Sequence, residues 1–274
     1  MTAGNRIRQL DGTTVSRIAA GEVVERPASV VKELAENAID AGAMAIDIRI
    51  TSRQGQITEI TITDDGCGMN HEDAQMAFAR HATSKIRNLS DLLSCTTHGF
   101  RGEALASIAA VSQVTIVTRE KDGETIAGTR VVNEGGEVVE EQEAGCPEGT
   151  SVTVEKIFYN TPARKKFQRP LSAEFAMITG IVERLVLTHP GIAFRLTHNG
   201  REKIVVPGGC GLTDAIESCG GIDQDTGGID FSQKLLGILI IGGDDGICVK
   251  RAIPCDVIDG FFDSLHHPDR ENEV

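Results

Sequence analysis

The stretch "KELAENAIDAGA", residues 32–43, constrains the fold of this chain more than any other. Glu33, Glu36, Asn37 and Asp40 fall at i, i+3, i+4 and i+7, the spacing at which a helix normally places its buried apolar stripe. With Ser29 they share an arc of roughly 100°. Val30, Val31, Leu34, Ala35, Ala38 and Ile39 cover nearly all the rest. A helix apolar over so much of its surface must be enclosed by other elements. A solvated face is the ordinary reading of its polar stripe, but such faces interleave Glu with Lys at i,i+4, and this arc holds three acids and no base. Carboxylates so placed repel one another unless a cation lies among them. Magnesium fits, because it takes oxygen ligands and commonly keeps water and phosphate partners.

The pattern around that helix predicts layers. Residues 14–26 suggest a preceding helix, and Pro27 suits the first turn of the next. "AIDIRIT" and "ITEITITDDG" alternate apolar and polar residues and predict a strand pair ending in a Gly-rich turn. "HEDAQMAFARHA" is helical in pattern, and "GFRGEALASIAAV" suggests a loop feeding a helix. "QVTIVTRE", "AGTRVVNEGG", "EVVEEQEA" and "GTSVTVEKIF" predict a run of antiparallel strands. "AEFAMITGIVERLVLTHP" is a helix closed by Pro190, and "AFRLTHNGREKIVV" a hairpin turning at Asn-Gly. Because helices and strands cluster in runs, the expected class is α+β. "VVPGGCGL" marks an expected boundary, giving domains at 1–204 and 205–274.

Composition excludes some functions. The longest apolar run is too short for a transmembrane helix, and "MTAGNRIRQLDG" lacks a secretory apolar region. Seven scattered cysteines without a C-x-x-C pair suggest free thiols, so the expected location is cytoplasmic. The net charge of −13 argues against a DNA-coated protein, although residues 205–274, with 13 acids and 4 bases, carry most of it.

Three further stretches bear on chemistry. "TDDGCGM", 63–69, ends a strand; its glycines permit close backbone approach and its acid can accept from an exocyclic amine, although "DDG" is also an ordinary turn. "HGFRGEALASI", 98–108, is a Gly-rich loop entering a helix N-terminus, an arrangement that offers N–H groups to phosphate. It is neither a Walker A loop nor a Rossmann fingerprint. "RHATSK", 80–85, adds two hydroxyls and a lysine, and is equally consistent with the basic end of a helix.

Taken together and in order, these stretches resemble the GHKL ATPase superfamily and, within it, the MutL DNA mismatch-repair family. The resemblance rests on "IAAGEVVERPASVVKELAENAIDAGA" (18–43), "DDGCGM" (64–69), "RHATSKI" (80–86), "GFRGEALASI" (99–108) and "FYNTPARKKF" (158–167). "GEVVERP" and "NTPARKKF" set it apart from topoisomerases, chaperone ATPases and sensor kinases. It implies the Bergerat fold, a two-layer sandwich of a mixed, largely antiparallel sheet with helices on one face, followed by a second α/β domain.

The resemblance also implies roles. Glu33 would be the general base that activates water, and Asn37 would ligate Mg2+, with Asp40 in the ATP site. Asp64 would accept from the adenine amine with Gly66 and Gly68 making room for the base, Met69 would also belong to the ATP site, and Thr150 would back the adenine contact. Gly99, Phe100, Arg101, Gly102, Glu103, Ala104 and Leu105 would form a phosphate-binding lid, with Thr83, Ser84 and Lys85 nearby. Asp65 stands where the family often has Asn, and Ala35 and Ala38 are small where larger or polar residues are common, two departures expected to be harmless. Read from its own residues, the basic cluster Arg164, Lys165, Lys166 and Arg169 is a candidate for weak, non-specific DNA contacts, a solvated loop being the ordinary reading.

The expected partners are a second copy of the chain, engaged when ATP is bound, and a mismatch-recognition protein of the MutS type. The family's second domain supplies a lysine to the γ-phosphate after a "VNGR"-like motif that this sequence lacks. Residues 205–274 are therefore expected to be an incomplete domain with slow hydrolysis, the alternative being a non-hydrolysing ATP switch.

Overall fold

The computed structural model describes residues 20–21, 23–79, 82, 103–123 and 125–209. They lie within the first of two units of the chain, Met1–Cys219. Five helices, α1 (Pro27–Asp40), α2 (His71–Met76), α3 (Ala104–Ala110), α4 (Pro162–Lys166) and α5 (Leu171–Thr188), accompany eight strands among the described residues. The strands are β1 (Ala45–Arg53), β2 (Gln56–Asp64), β3 (Gln113–Arg119), β4 (Gly128–Glu134), β5 (Glu137–Ala144), β6 (Gly149–Glu155), β7 (Ala193–His198) and β8 (Arg201–Val206).

One sheet holds them all, in the order β5-β4-β3-β6-β2-β1-β7-β8. Every neighbouring pair is antiparallel except β1–β7, whose parallel pairing follows the long crossover through α5. This is the expected α+β architecture, a mixed and largely antiparallel sheet layered with helices. The Asn-Gly turn joins β7 to β8, with Asn199 at φ 50° and Gly200 at φ 76°, both left-handed as a two-residue hairpin requires.

The alternation read in the sequence decides which sheet face is buried. Ile46, Ile48 and Ile50 on β1, Ile60 and Ile62 on β2, Val114 and Ile116 on β3, and Val152 and Val154 on β6 all enter one core. Helix α1 supplies Val30, Val31, Leu34, Ala35 and Ala38 to that core, and α5 supplies Ile178, Val182 and Val186. The opposite sheet face carries Thr61 bonded to Thr153 at 3.2 Å and Thr63 bonded to Ser151 at 2.9 Å. Hydroxyl ladders of this kind suit a face in contact with water.

Strand β8 runs on to Val206, two residues past the expected domain boundary. Residues 210–274, and with them most of the expected second domain, lie outside the described residues.

Candidate functional site

Three adjacent strands change character at the same end of the core. On β2 the inward column is Ile60, Ile62, Asp64; on β6 it is Val154, Val152, Thr150; on β3 it is Val114, Ile116, Thr118. Asp64 pairs with Thr150 across β2–β6, and Thr150 with Thr118 across β6–β3, so the three polar side chains form one row closing the apolar columns. A carboxylate and two hydroxyls at the rim of a core are costly there unless hydrogen-bonded.

The row is well supplied. Gly66 N–H donates to Asp64 Oδ1 at 2.9 Å. Thr118, fully buried, accepts from Met69 N–H at 3.0 Å, donates to the Gly149 carbonyl at 3.0 Å, and meets Thr150 Oγ1 at 3.0 Å. Burial pushes the Asp64 carboxyl up to about 6, well above the usual carboxylate range. The N–H groups of Gly66 and Thr150 oppose that rise, and the charge of neighbouring Asp65 adds to it. Asp65 is therefore not electrically silent. Its own carboxylate accepts from Met44 N–H at 2.7 Å and Ala45 N–H at 2.8 Å, tying the turn to the start of β1.

The turn carrying Asp64 is wedged between the helix layer and the sheet. Cys67 N–H donates to the Ala41 carbonyl just past α1, and Lys121 N–H to the Cys67 carbonyl, both within 2.9 Å. The glycines make this wedge fit. A Cβ on Gly66 would press on Ala41 and on the Asp64 carboxylate, and one on Gly68, at φ 65°, would strike the Arg119 carbonyl. The space a Cβ would take at either glycine is occupied by the chain itself, so both let the turn seat Asp64 and Met69 against α1 and β3.

Helix α1 presents the stripe read from its sequence. Glu33, Glu36, Asn37 and Asp40 are half-buried, while Pro27, Ala28, Val30, Val31, Leu34, Ala35 and Ala38 are buried. One part of that reading changes. Exposed Lys32, outside the arc, reaches Glu36 at 3.7 Å, so one of the three acids has a local cation after all. Among the described residues no group of three or more His, Cys, Asp or Glu is arranged to enclose a metal. The donors still suit Mg2+, which commonly takes one or two protein oxygens and completes its shell with water and phosphate.

What fixes α1 in place was not foreseen. Its N-cap, Arg26, makes no side-chain cap. Instead Glu174 on α5, only 4% exposed, accepts from Ala28 N–H at 2.8 Å. A carboxylate at a helix N-terminus also meets the positive end of the helix dipole. The residues 146 positions apart left no local signal. Thr118 was missed as well, although its signal was present: a hydroxyl at the third inward position of "QVTIVTRE" breaks an apolar column.

The other expected site residues divide cleanly. Glu103, Ala104 and Leu105 are half-buried at the start of α3. Thr83, Ser84, Lys85, Gly99, Phe100, Arg101 and Gly102 lie outside the described residues.

The basic segment is short helix α4 with its flank. Lys165, Lys166 and Arg169 are exposed, whereas Arg164 is half-buried and turned inward, its guanidinium occupying the space a Cβ on Gly21 would need. A cavity of about 250 Å³, lined by Arg26, Arg164, Phe167, Arg169 and Glu174 among others, lies beside it, apart from the Asp64 turn.

Comparison with known proteins places this geometry. Residues 25–148 match the family described as "Histidine kinase-, DNA gyrase B-, and HSP90-like ATPase". The chain is 54% identical over 218 residues to the DNA mismatch repair protein MutL of Methanoculleus marisnigri, covering 80% of this chain and 37% of that one. It is 51% identical over 244 residues to the DNA mismatch repair protein MutL of Desulforudis audaxviator, covering 88% and 42%. The solved ATPase domain of Aquifex aeolicus MutL complexed with ADP superposes with a TM-score of 0.59 at 27% identity, covering 72% of this chain and 69% of that one. The chain therefore spans about two fifths of the length of the curated relatives it matches. With the signature blocks in sequence order and the eight-stranded sheet agreeing, the chain belongs to the MutL family, of which it carries the N-terminal GHKL ATPase region.

Proposed function

We propose that this chain binds Mg-ATP between the stripe of α1 and the Asp64 turn and hydrolyses it slowly, as the nucleotide-responsive part of a mismatch-repair protein. The observation that carries the reading is the polar row Asp64–Thr150–Thr118 at the open end of an otherwise apolar core. An ionised carboxylate there is an acceptor suited to an exocyclic amine. The ADP complex of the Aquifex aeolicus domain supports the same ligand class.

In this reading Glu33 draws a proton from the attacking water, and Asn37 offers its side-chain oxygen to Mg2+, with Asp40 on the same stripe. The ion, when bound, neutralises charge on the phosphates. Phosphoryl transfer asks mainly for positioning and charge stabilisation, so one base and one oxygen ligand on a rigid helix are sufficient protein machinery. Residues 99–105, with Thr83, Ser84 and Lys85, complete the phosphate side.

ATP then favours pairing of two copies of this region, and the pair engages a MutS-type mismatch-recognition protein in the cytoplasm. Lys165, Lys166 and Arg169 add weak, sequence-tolerant DNA contacts. No helix of the described residues is long and apolar enough to cross a membrane.

Calorimetric titration with ATP, beside Asp64→Asn, tests the reading. Binding by the parent chain that weakens at least tenfold in the variant is expected, the loss following from a charged acceptor replaced by a neutral amide, which accepts more weakly and can turn a donor toward the amine. Equal binding by both would move the base away from Asp64.

A further inference from the structure

The hydroxyl of Thr118 has one proton and two lone pairs, and the structure accounts for all three. Its proton goes to the Gly149 carbonyl at 3.0 Å, a partner that can only accept. One lone pair accepts from Met69 N–H at 3.0 Å, a partner that can only donate. The remaining contact is with Thr150 Oγ1, also at 3.0 Å. Either hydroxyl could donate in an isolated pair, but here Thr118 has no proton left. Thr150 must be the donor.

That settles the polarity of Thr150. With its proton committed to Thr118, the half-buried Thr150 oxygen can offer only lone pairs to whatever occupies the site. Asp64, its cross-strand partner, is likewise an acceptor when ionised. Two acceptors side by side match a ligand edge that donates. The exocyclic amine of adenine does so, whereas guanine in the same pose would turn its O6 acceptor toward them.

We infer that Thr118 is a positioning residue that holds the Thr150 hydroxyl as an acceptor and thereby makes the site select adenine over guanine nucleotides. The inference rests on the nucleotide reading above and adds to it a residue that does not touch the base. Thr118 also anchors the amide of Met69 and the carbonyl of Gly149, so it links the two backbone segments flanking Asp64 with the hydroxyl beside it. Removing its oxygen frees Thr150 to rotate and donate, and a donor no longer rejects O6.

The test compares ATP and GTP affinities of the parent chain with Thr118→Val, which keeps the β-branched shape, and Thr118→Ser, which keeps the hydroxyl. The Val variant is expected to lose roughly tenfold or more of the ATP-over-GTP preference, because one hydrogen-bond partner has changed from matched to adaptable. The Ser variant is expected to retain the preference. Adding Thr150→Val to Thr118→Val should cost no further preference, since both act through one hydroxyl. A general loosening of the fold would weaken ATP and GTP alike and leave their ratio unchanged.

A parent chain that prefers ATP, with the same preference in Thr118→Val, overturns the inference and leaves the nucleotide reading intact. A parent chain that binds neither nucleotide overturns the reading itself. Should the Val variant fail to fold, Thr118→Cys replaces it, since a thiol fills the space but bonds weakly. Unchanged preference in Thr118→Cys overturns the inference equally.

Discussion

Asp64 and Thr150 are partners across the β2–β6 ladder, and both face the helix layer at the point where their strands leave the apolar core. Their environment raises the Asp64 carboxyl to about 6, chiefly through burial. If ionised Asp64 receives the adenine amine, ATP affinity must fall as pH drops through about 6. Stability moves the other way. A carboxyl whose folded value is raised above the unfolded 3.8 favours the fold at low pH, and that contribution is lost as pH rises through about 6. Asp64→Asn should therefore melt slightly above the parent chain at pH 8, by about 1 kcal/mol or less given the partial exposure of the site, and the gap should close on acidification. Asp65→Asn, which keeps an acceptor for Met44 and Ala45, should shift the midpoint of ATP binding to lower pH. Titration calorimetry from pH 5 to 8, with parallel melts, checks both directions.

Gly149 sits at φ 103°, where a Cβ would collide with the Asp64 carbonyl. Gly149→Ala should destabilise the fold by roughly 2 kcal/mol or more through strain and displacement. Gly180, inside α5, has nothing within 4 Å of its would-be Cβ. Gly180→Ala should stabilise by about 1 kcal/mol through helix propensity. Denaturant melts of the two variants should move in opposite directions.

Glu174 supplies the N-terminal acceptor that α1 lacks locally. Glu174→Ala leaves the Ala28 N–H buried without its partner and should cost about 1–3 kcal/mol. Glu174→Gln keeps the acceptor and should cost less. The ordering of the two midpoints in urea is the readout, and equal losses would show that packing of α5, rather than the hydrogen bond, holds α1.

The basic segment separates by orientation. Lys165→Ala and Lys166→Ala should each weaken DNA binding and reduce its salt slope by about 1, with little change in stability. Arg164 packs inward against Gly21, so Arg164→Ala should lower the melting temperature and leave the salt slope unchanged. Filter binding at several salt concentrations, alongside melts, distinguishes the two classes.

Much of this arrangement was legible in the sequence because its causes are local. The period-2 alternation in "AIDIRIT" and "QVTIVTRE" fixes which side chains enter the core, and the Asn-Gly step fixes the β7–β8 turn. The stripe of α1 was visible for the same reason. Interactions across distant segments were not. Glu174 meets Ala28 only once α5 packs on α1. The Lys32–Glu36 pair is local, at i,i+4, and was passed over because Lys32 lies outside the polar arc. The roles of Gly66 and Gly68 also depend on what lies beside them, Ala41 and Arg119, which no neighbouring residue announces. Short α4 went unread because five residues give too little periodicity to recognise.

The central claim is that the α1 stripe faces a nucleotide and that Glu33 acts on water there. Mg-ATP binding and steady-state turnover, measured on this chain and on Glu33→Ala, test it directly. The account predicts that both bind ATP, that the parent chain turns it over slowly, and that the variant loses turnover by roughly 100-fold or more, the scale of general-base catalysis. Undiminished turnover in Glu33→Ala, or no binding of ATP by the parent chain, would contradict it.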